Sequence, residues 1–185
     1  MVEMLAAIVI IALLAALATP SFIAMMRDRR VVRAGLQIAE TFREARMRSL
    51  ARGVAVTVQW DGAASAKGVL KTREALIVAA GQGLTKSCLT ADWSAASTDT
   101  RPLSVHNFEQ GIYELAQLKL VDMGGSDQTF GEICFAPDGT AHVRFSNAGP
   151  FVPLTGVPSF KVKNTKTNVE RIVFVPPDGI ARFAL

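Results

Sequence analysis

The chain has 185 residues, half of them hydrophobic, and a formal net charge of +4. With about 50 residues in one long N-terminal helix, about 130 remain, enough for one ordinary domain with a modest core. The charge is local: residues 27–52 carry eight arginines against three acids, whereas residues 53–185 hold twelve basic and twelve acidic side chains. A chain-wide basic surface is therefore excluded, and the basic character belongs to the helix.

The first predicted element is a helix of membrane length. Met4 through Met26 is a run of 23 residues without a charge, rich in Ala, Ile and Leu; as a helix it rises roughly 34 Å, enough for a hydrocarbon core about 30 Å thick. A secretory signal peptide is a competing reading, but it needs a basic region before the apolar core and a small-residue cleavage site after it, and neither stands here. A plain membrane anchor satisfies the hydropathy equally well. Two residues interrupt the run's uniformity. Glu3 is an acid at the rim of the segment, either snorkelling to the headgroups or retained for a specific partner. Pro20 removes one backbone donor inside a continuous helical pattern and bends it.

The string Val2-Glu3-Met4-Leu5, followed by Pro20-Ser21-Phe22, closely resembles the N-terminal segment of type IV pilins and of the pseudopilins of type II secretion. In that family a prepilin peptidase cuts off a short basic leader ending in Gly, leaving a Phe-Thr-Leu-Ile/Val-Glu start, and a proline follows seventeen residues after the glutamate. Pro20 follows Glu3 by seventeen. The leader and the Phe-Thr pair do not precede Val2, and Met1 stands where the family has an apolar residue. The expectation is a start site placed too far downstream or a trimmed chain, with processing and N-methylation implied by the resemblance. Arg27, Arg29, Arg30 and Arg33, just past the apolar run, would by the positive-inside tendency keep the C-terminal side of the helix in the cytoplasm. The resemblance implies export, and a basic leader ahead of Met1 would remove the conflict.

From Met4 the helical pattern runs past Pro20 to Arg52, with Gly53 as its C-terminal stop. Its second half is amphipathic. Val31, Gly35, Ile38, Phe42, Ala45 and Ser49 recur on one face, supported by Val32, Ala39 and Leu50, and Glu44 is placed for an i,i+4 pair with Arg48. After Gly53 the period changes to two. Val54, Val56 and Val58 lead to Trp60 and a hairpin turn at Asp61-Gly62. A β segment is expected at Ala75–Ala79, then a long loop over residues 81–100 that carries Cys88 and Trp93 toward the core, then a strand over Ile112–Val121 broken at Gly124-Gly125-Ser126. The last third contains an internal echo. Ile133 to Gly139 and Ile172 to Gly179 are each an apolar strand ending in Pro-Asp-Gly, with return strands at Ala141–Phe145 and Ile180–Ala184. Phe160–Lys163 and Val169–Val175 form a further hairpin across Asn164–Asn168.

This order resembles the GspH/FimT branch of the pseudopilin family, in which an Arg-bearing helix such as Glu40 onward passes into a Val-rich strand and late hairpins close the chain. The fold class expected is α+β: a long N-terminal transmembrane stem helix packed against an antiparallel β-sheet globular head, pilin-like. Its parts are residues 1–26 as the transmembrane half of the stem, 27–52 as the amphipathic half, and 53–185 as a β-rich, GspH/FimT-like periplasmic head.

Residues for catalysis, cofactor or metal are not apparent. His106 and His142 are isolated, and Gly-rich phosphate loops and Gly-x-Ser-x-Gly elbows are missing. Cys134 and His142 lack a third, orienting group, so no enzyme is expected. Cys88 and Cys134, 46 apart and in no metal-type spacing, are either a disulfide or two separate buried thiols.

The resemblance implies that Glu3 meets the α-amino group of a neighbouring subunit inside a filament, and that Pro20 belongs to the stem's assembly region. It also implies the partners: other pilin or pseudopilin subunits through the stem, an inner-membrane assembly platform, the prepilin peptidase and the lipid bilayer. The protein is then a single-pass bacterial inner-membrane protein with a periplasmic head, serving a type II secretion system or a type IV pilus. The alternative is a DNA-binding minor pilin. Some FimT-like members hold DNA through a basic C-terminal tail, and this chain carries Lys161, Lys163, Lys166, Arg171 and Arg182 there.

Overall fold

A computed structural model of the chain describes residues 2–76, 87–94 and 97–184. It is built on one helix, α1, Val2–Arg52, which runs unbroken through Pro20 and is about 77 Å long. Its stop is local chemistry. Gly53 takes a positive φ of 65° and its amide bonds back to the Ser49 carbonyl at 3.0 Å, the left-handed cap that glycine adopts without a Cβ penalty.

Among the described residues eleven strands follow: β1 Val56–Asp61, β2 Val69–Ala75, β3 Thr100–Asn107, β4 Ala116–Val121, β5 Asp127–Gln128, β6 Phe130–Phe135, β7 Ala141–Arg144, β8 Val152–Pro153, β9 Ser159–Asn164, β10 Glu170–Phe174 and β11 Arg182–Ala184. They form two antiparallel sheets, one ordered β3-β2-β1-β6-β7-β8 and the other β11-β10-β9-β4-β5. Only Thr129 separates β5 from β6, so the chain crosses from one sheet to the other there. The inward faces of both sheets wrap the second half of α1. Val31, Ile38 and Phe42 of the helix share one core with Val56, Val58 and Trp60 of β1 and with Phe160 and Val162 of β9; Phe42 and Phe160 meet with ring centroids 5.2 Å apart. A second, smaller core lies on the outer face of the first sheet, where Cys88, Trp93, Cys134 and Phe151 gather.

The buried helix face contains Val31, Gly35, Ile38, Phe42, Ala45 and Ser49 as its period predicts, with Ala39, but it is displaced toward Ala34 and Thr41. Val32 is half-buried and Leu50 is exposed, because both lie roughly 80° around the helix from Phe42, beyond the arc the sheets cover. Arg48 turns to Glu74 of β2 instead of Glu44, since a buried carboxylate offering two acceptors outcompetes an exposed helix pair.

The β1–β2 connection is a seven-residue loop, not a tight turn; Asp61 still caps it by accepting the Ala63 amide at 3.1 Å. The strand expected at Ala75–Ala79 begins earlier and ends at Ala75, and residues 77–79 lie outside the described residues, as do parts of the 81–100 loop. Where one strand was expected over Ile112–Val121, a short 3-10 turn, Gly111–Tyr113, precedes β4. The two Pro-Asp-Gly turns share one construction. Asp138 accepts the Thr140 amide and Asp178 the Ile180 amide, both at 2.9 Å, and Gly139 and Gly179 have φ of 88° and 70°.

Candidate functional site

The head leaves half of its own helix bare. From Val2 to Met26 the side chains of α1 are exposed, with Ala24 half-buried, and the apolar window long enough to cross a membrane has none of its residues covered. Leu17 is 69% and Ile11 66% exposed, far beyond what a soluble surface ordinarily shows over such a length. Glu3 sits in the first turn, exposed, with no ion pair among the described residues. An acid there is also favourably placed against the positive end of the helix dipole. Pro20 lies within the bare half. Beside it, the Thr19 hydroxyl bonds back to the Ala15 carbonyl at 2.6 Å, using the helix's own acceptors as hydroxyls do in apolar surroundings.

Where the bare half ends, the head is latched to the stem. Asp28 Oδ1 accepts from Asn164 Nδ2 at 2.7 Å and from the Thr167 hydroxyl at 2.6 Å. Asn164 is fully buried, and its own Oδ1 accepts the Lys166 and Thr167 amides, so Asn164 shapes the β9–β10 turn and, together with Thr167, fastens it to the stem. Farther along, Arg43 Nε donates to the Ala181 carbonyl at 2.9 Å and the Ser49 hydroxyl to the Phe135 carbonyl at 2.8 Å. His106 of β3 stands between Thr41 of the stem (3.4 Å) and the Tyr113 hydroxyl (3.1 Å). Burial pushes its imidazole below the usual histidine value, with Glu44 opposing weakly.

Two buried carboxylates escaped sequence reasoning because their partners are distant along the chain. Glu74, 1% exposed, receives Arg48, Arg52 and Arg101. Burial raises its pKa, but the hydrogen bonds and charges of Arg48 and Arg101 outweigh that and hold it below the ordinary carboxylate range. Glu132 of β6 meets Arg144 of β7 at 2.6 Å, with the guanidinium 4.6 Å from the Phe151 ring centroid. Burial there wins over Arg144, and the carboxyl is pushed up. Glu132 is an acid inside an apolar run, Phe130 to Phe135, which is a signal of its own, whereas Glu74 follows Lys71-Thr72-Arg73 and no apolar pattern marks it.

Cys88 and Cys134 are joined in a disulfide with Cα atoms 5.8 Å apart, which fastens the 87–94 loop to the first sheet. His142 is directly opposite Cys134 across β6 and β7, but that sulfur is bonded to Cys88 and presents no thiolate.

The five C-terminal cations are not brought together. Lys161 and Lys163 alternate with buried Phe160 and Val162 along β9 and so project outward. Lys163 is paired in register with Glu170. Arg171 is opposite buried Val162, on the face toward the core, and Arg182 is 3.6 Å from Asp178. Lys166 lies apart, in the turn fastened to Asp28.

No protein-family model matches this sequence. No curated protein matches it either. Among solved structures the chain is similar to the type IV minor pilin FimU of Pseudomonas aeruginosa strain PAO1, at 15% identity and a TM-score of 0.51, over 87% of this chain and 92% of that one. At that identity the likeness is one of architecture: the protein has a pilin-like α+β fold, a long N-terminal helix packed on antiparallel sheets.

Proposed function

We propose that the protein is a minor pilin or pseudopilin subunit of the GspH/FimT type. It is held in the bacterial inner membrane by residues 1–26, with the stem's amphipathic half (27–52) and the head (53–185) in the periplasm, and it inserts into a short filament of a type II secretion system or type IV pilus. The observation that carries this is the division of α1: the head covers the amphipathic half and leaves bare a 23-residue apolar run beginning next to Glu3. Such a surface needs lipid before assembly and the stems of other subunits after it. In apolar surroundings a lone carboxylate strongly favours the one register that supplies it with a cation, such as a neighbouring α-amino group. The role is structural and non-catalytic. Its partners are sister subunits, the assembly platform and, for a precursor with a leader, the prepilin peptidase.

Glu3→Ala tests this. The variant should remain in the membrane fraction through alkaline extraction yet be depleted from sheared filaments by about tenfold or more, as expected for one mispaired charge of a few kcal/mol. Recovery in filaments at the wild-type level would sink the proposal. The DNA-binding alternative draws less support from this geometry, since Glu170 and Asp178 stand beside two of the five cations and Arg171 turns inward.

A further inference from the structure

Seven of the eight stem arginines divide into two groups with different fates. Arg43, Arg48 and Arg52, on the covered half, bond to the head or to neighbouring acids. Arg27, Arg29, Arg30 and Arg33 are all exposed, and none has an ion pair or hydrogen bond among the described residues. These four begin at the residue after the last apolar one, Met26. From Arg27 to Arg33 the helix rises about 9 Å, against a headgroup layer of about 5–8 Å per leaflet. At about 100° per residue they fall near 0°, 200°, 300° and 240°, an arc of roughly 160° on one side of the helix, and Asp28 at about 100° stands in the gap they leave.

The head adds to this zone. The Asp28 latch draws the β9–β10 turn alongside the same helical turn and presents exposed Lys166 there. Five cations thus gather around one acid, Asp28, whose oxygen is already occupied by Asn164 and Thr167. The head as a whole, Lys166 included, is neutral.

We infer that Arg27, Arg29, Arg30, Arg33 and Lys166 form a collar that binds the phosphates of anionic phospholipids on the leaflet the stem enters, seating the β9–β10 edge of the head on the membrane. Charge complementarity and continuity with the apolar run select a lipid surface as the occupant. Juxtamembrane basic clusters gain from each cation held near an anionic surface, within a Debye length. The inference rests on the membrane reading of the stem given above. It gives the four arginines a role in seating the subunit before assembly, and a subunit drawn into a filament must release these headgroups.

The test uses the full chain in nanodiscs of phosphatidylcholine alone or with one-third phosphatidylglycerol, reading lysine acylation by an uncharged reagent through mass spectrometry. Lys166 should react about fivefold more slowly in the anionic discs, while Lys161, on the outer face of the sheet, keeps one rate in both. Raising the salt, or replacing Arg29, Arg30 and Arg33 together by Gln, should abolish the difference without expelling the chain from the disc. Equal Lys166 rates in both discs, with the chain inserted, overturn the collar. Equal protection in neutral discs by free inorganic phosphate overturns it in favour of a soluble anion, and protection of Lys161 and Lys166 alike by duplex DNA overturns it in favour of nucleic acid. A chain that does not enter either disc refutes the membrane reading itself.

Discussion

Arg48 and Glu74 face each other in a two-pronged contact, Nε to Oε1 and Nη2 to Oε2, both at 3.2 Å. This joins the last turns of the stem to β2, and Arg101 reinforces it from β3 at 2.6 Å. Because Glu74 is buried and its guanidinium partners are partly exposed, replacing it leaves like charges crowded without a counter-ion. Glu74→Gln should destabilise the head by about 2 kcal/mol at neutral pH. The carboxyl's folded pKa lies below its ordinary value, so its contribution is complete above about pH 4.3 and disappears as the pH falls through the lowered folded value. Thermal unfolding of wild type and variant in detergent should therefore show a gap at pH 7 that narrows as the pH is lowered below the ordinary carboxylate range. A gap of constant size would count against the assignment.

Gly35 provides the space in which Phe183 packs: a Cβ built there would run into the Phe183 ring. Gly35→Ala should cost about 1–3 kcal/mol by overpacking, although alanine is the better helix former. Since β11 is only three residues long and sits at the edge of its sheet, it is the element that gives way. Amide exchange should accelerate first at residues 182–184. Combining the change with Phe183→Ala should cost less than the sum of the two single changes, and strict additivity would refute the contact.

How much of each element was readable in the sequence depends on how one-sided its burial is. The second half of α1 and the strands β7 and β9 each bury one face, so period 3.6 or period 2 survives in their residues, whereas β6, covered on both faces, is legible only as a short apolar run ending in a turn. The Pro-Asp-Gly turns carry their own chemistry, an Asp oxygen capping an amide two residues on and a glycine at positive φ. β3 left little trace. It is an edge strand half-exposed on most positions, contains Pro102, and pairs with β2 across a register irregularity at Thr72/Arg73, so no alternation records it. The contacts that fix the stem in the head were out of reach for a different reason: Asp28 and Asn164 are 136 residues apart, and nothing local to either announces the other.

The Asp28 latch makes its own prediction. Asp28→Ala removes the acceptor of Asn164 Nδ2 and the Thr167 hydroxyl, leaving the buried amide donor unsatisfied at a cost of about 1–3 kcal/mol. The loss should be local. Exchange protection should fall in residues 163–169 while the core around Phe42 and Phe160 holds, and unchanged protection in that turn would show that Asn164 alone shapes it.

The disulfide should act on a different region. In the chain-entropy account, cross-linking residues 46 apart stabilises the fold by about 4 kcal/mol. Replacing Cys88 and Cys134 together by Ser should lower the unfolding free energy by roughly that amount. The lost protection should be concentrated in residues 87–94, which reach the first sheet through Cys88 and Trp93. A double variant with wild-type stability would mean that burial of Trp93 holds the loop by itself.

Glu132 gives the opposite outcome to Glu74, although both are buried acids bound by arginine. Burial dominates at Glu132 and raises its folded pKa, with Arg144 opposing. In the fold, ionisation is therefore less favourable than in the unfolded chain, and by linkage any stabilisation from the protonated form is lost as pH rises through the raised value. A neutral isostere keeps an acceptor for Arg144 and avoids ionising a buried carboxyl whose pKa the fold has raised. Glu132→Gln should thus leave the neutral-pH Tm unchanged or raise it by a few degrees, where Glu74→Gln lowers it. Its advantage over wild type should shrink as the pH is lowered and Glu132 takes up its proton. A Glu132→Gln variant as destabilised as Glu74→Gln at pH 7 would mean that the Arg144 charge pair, and not desolvation, governs that site.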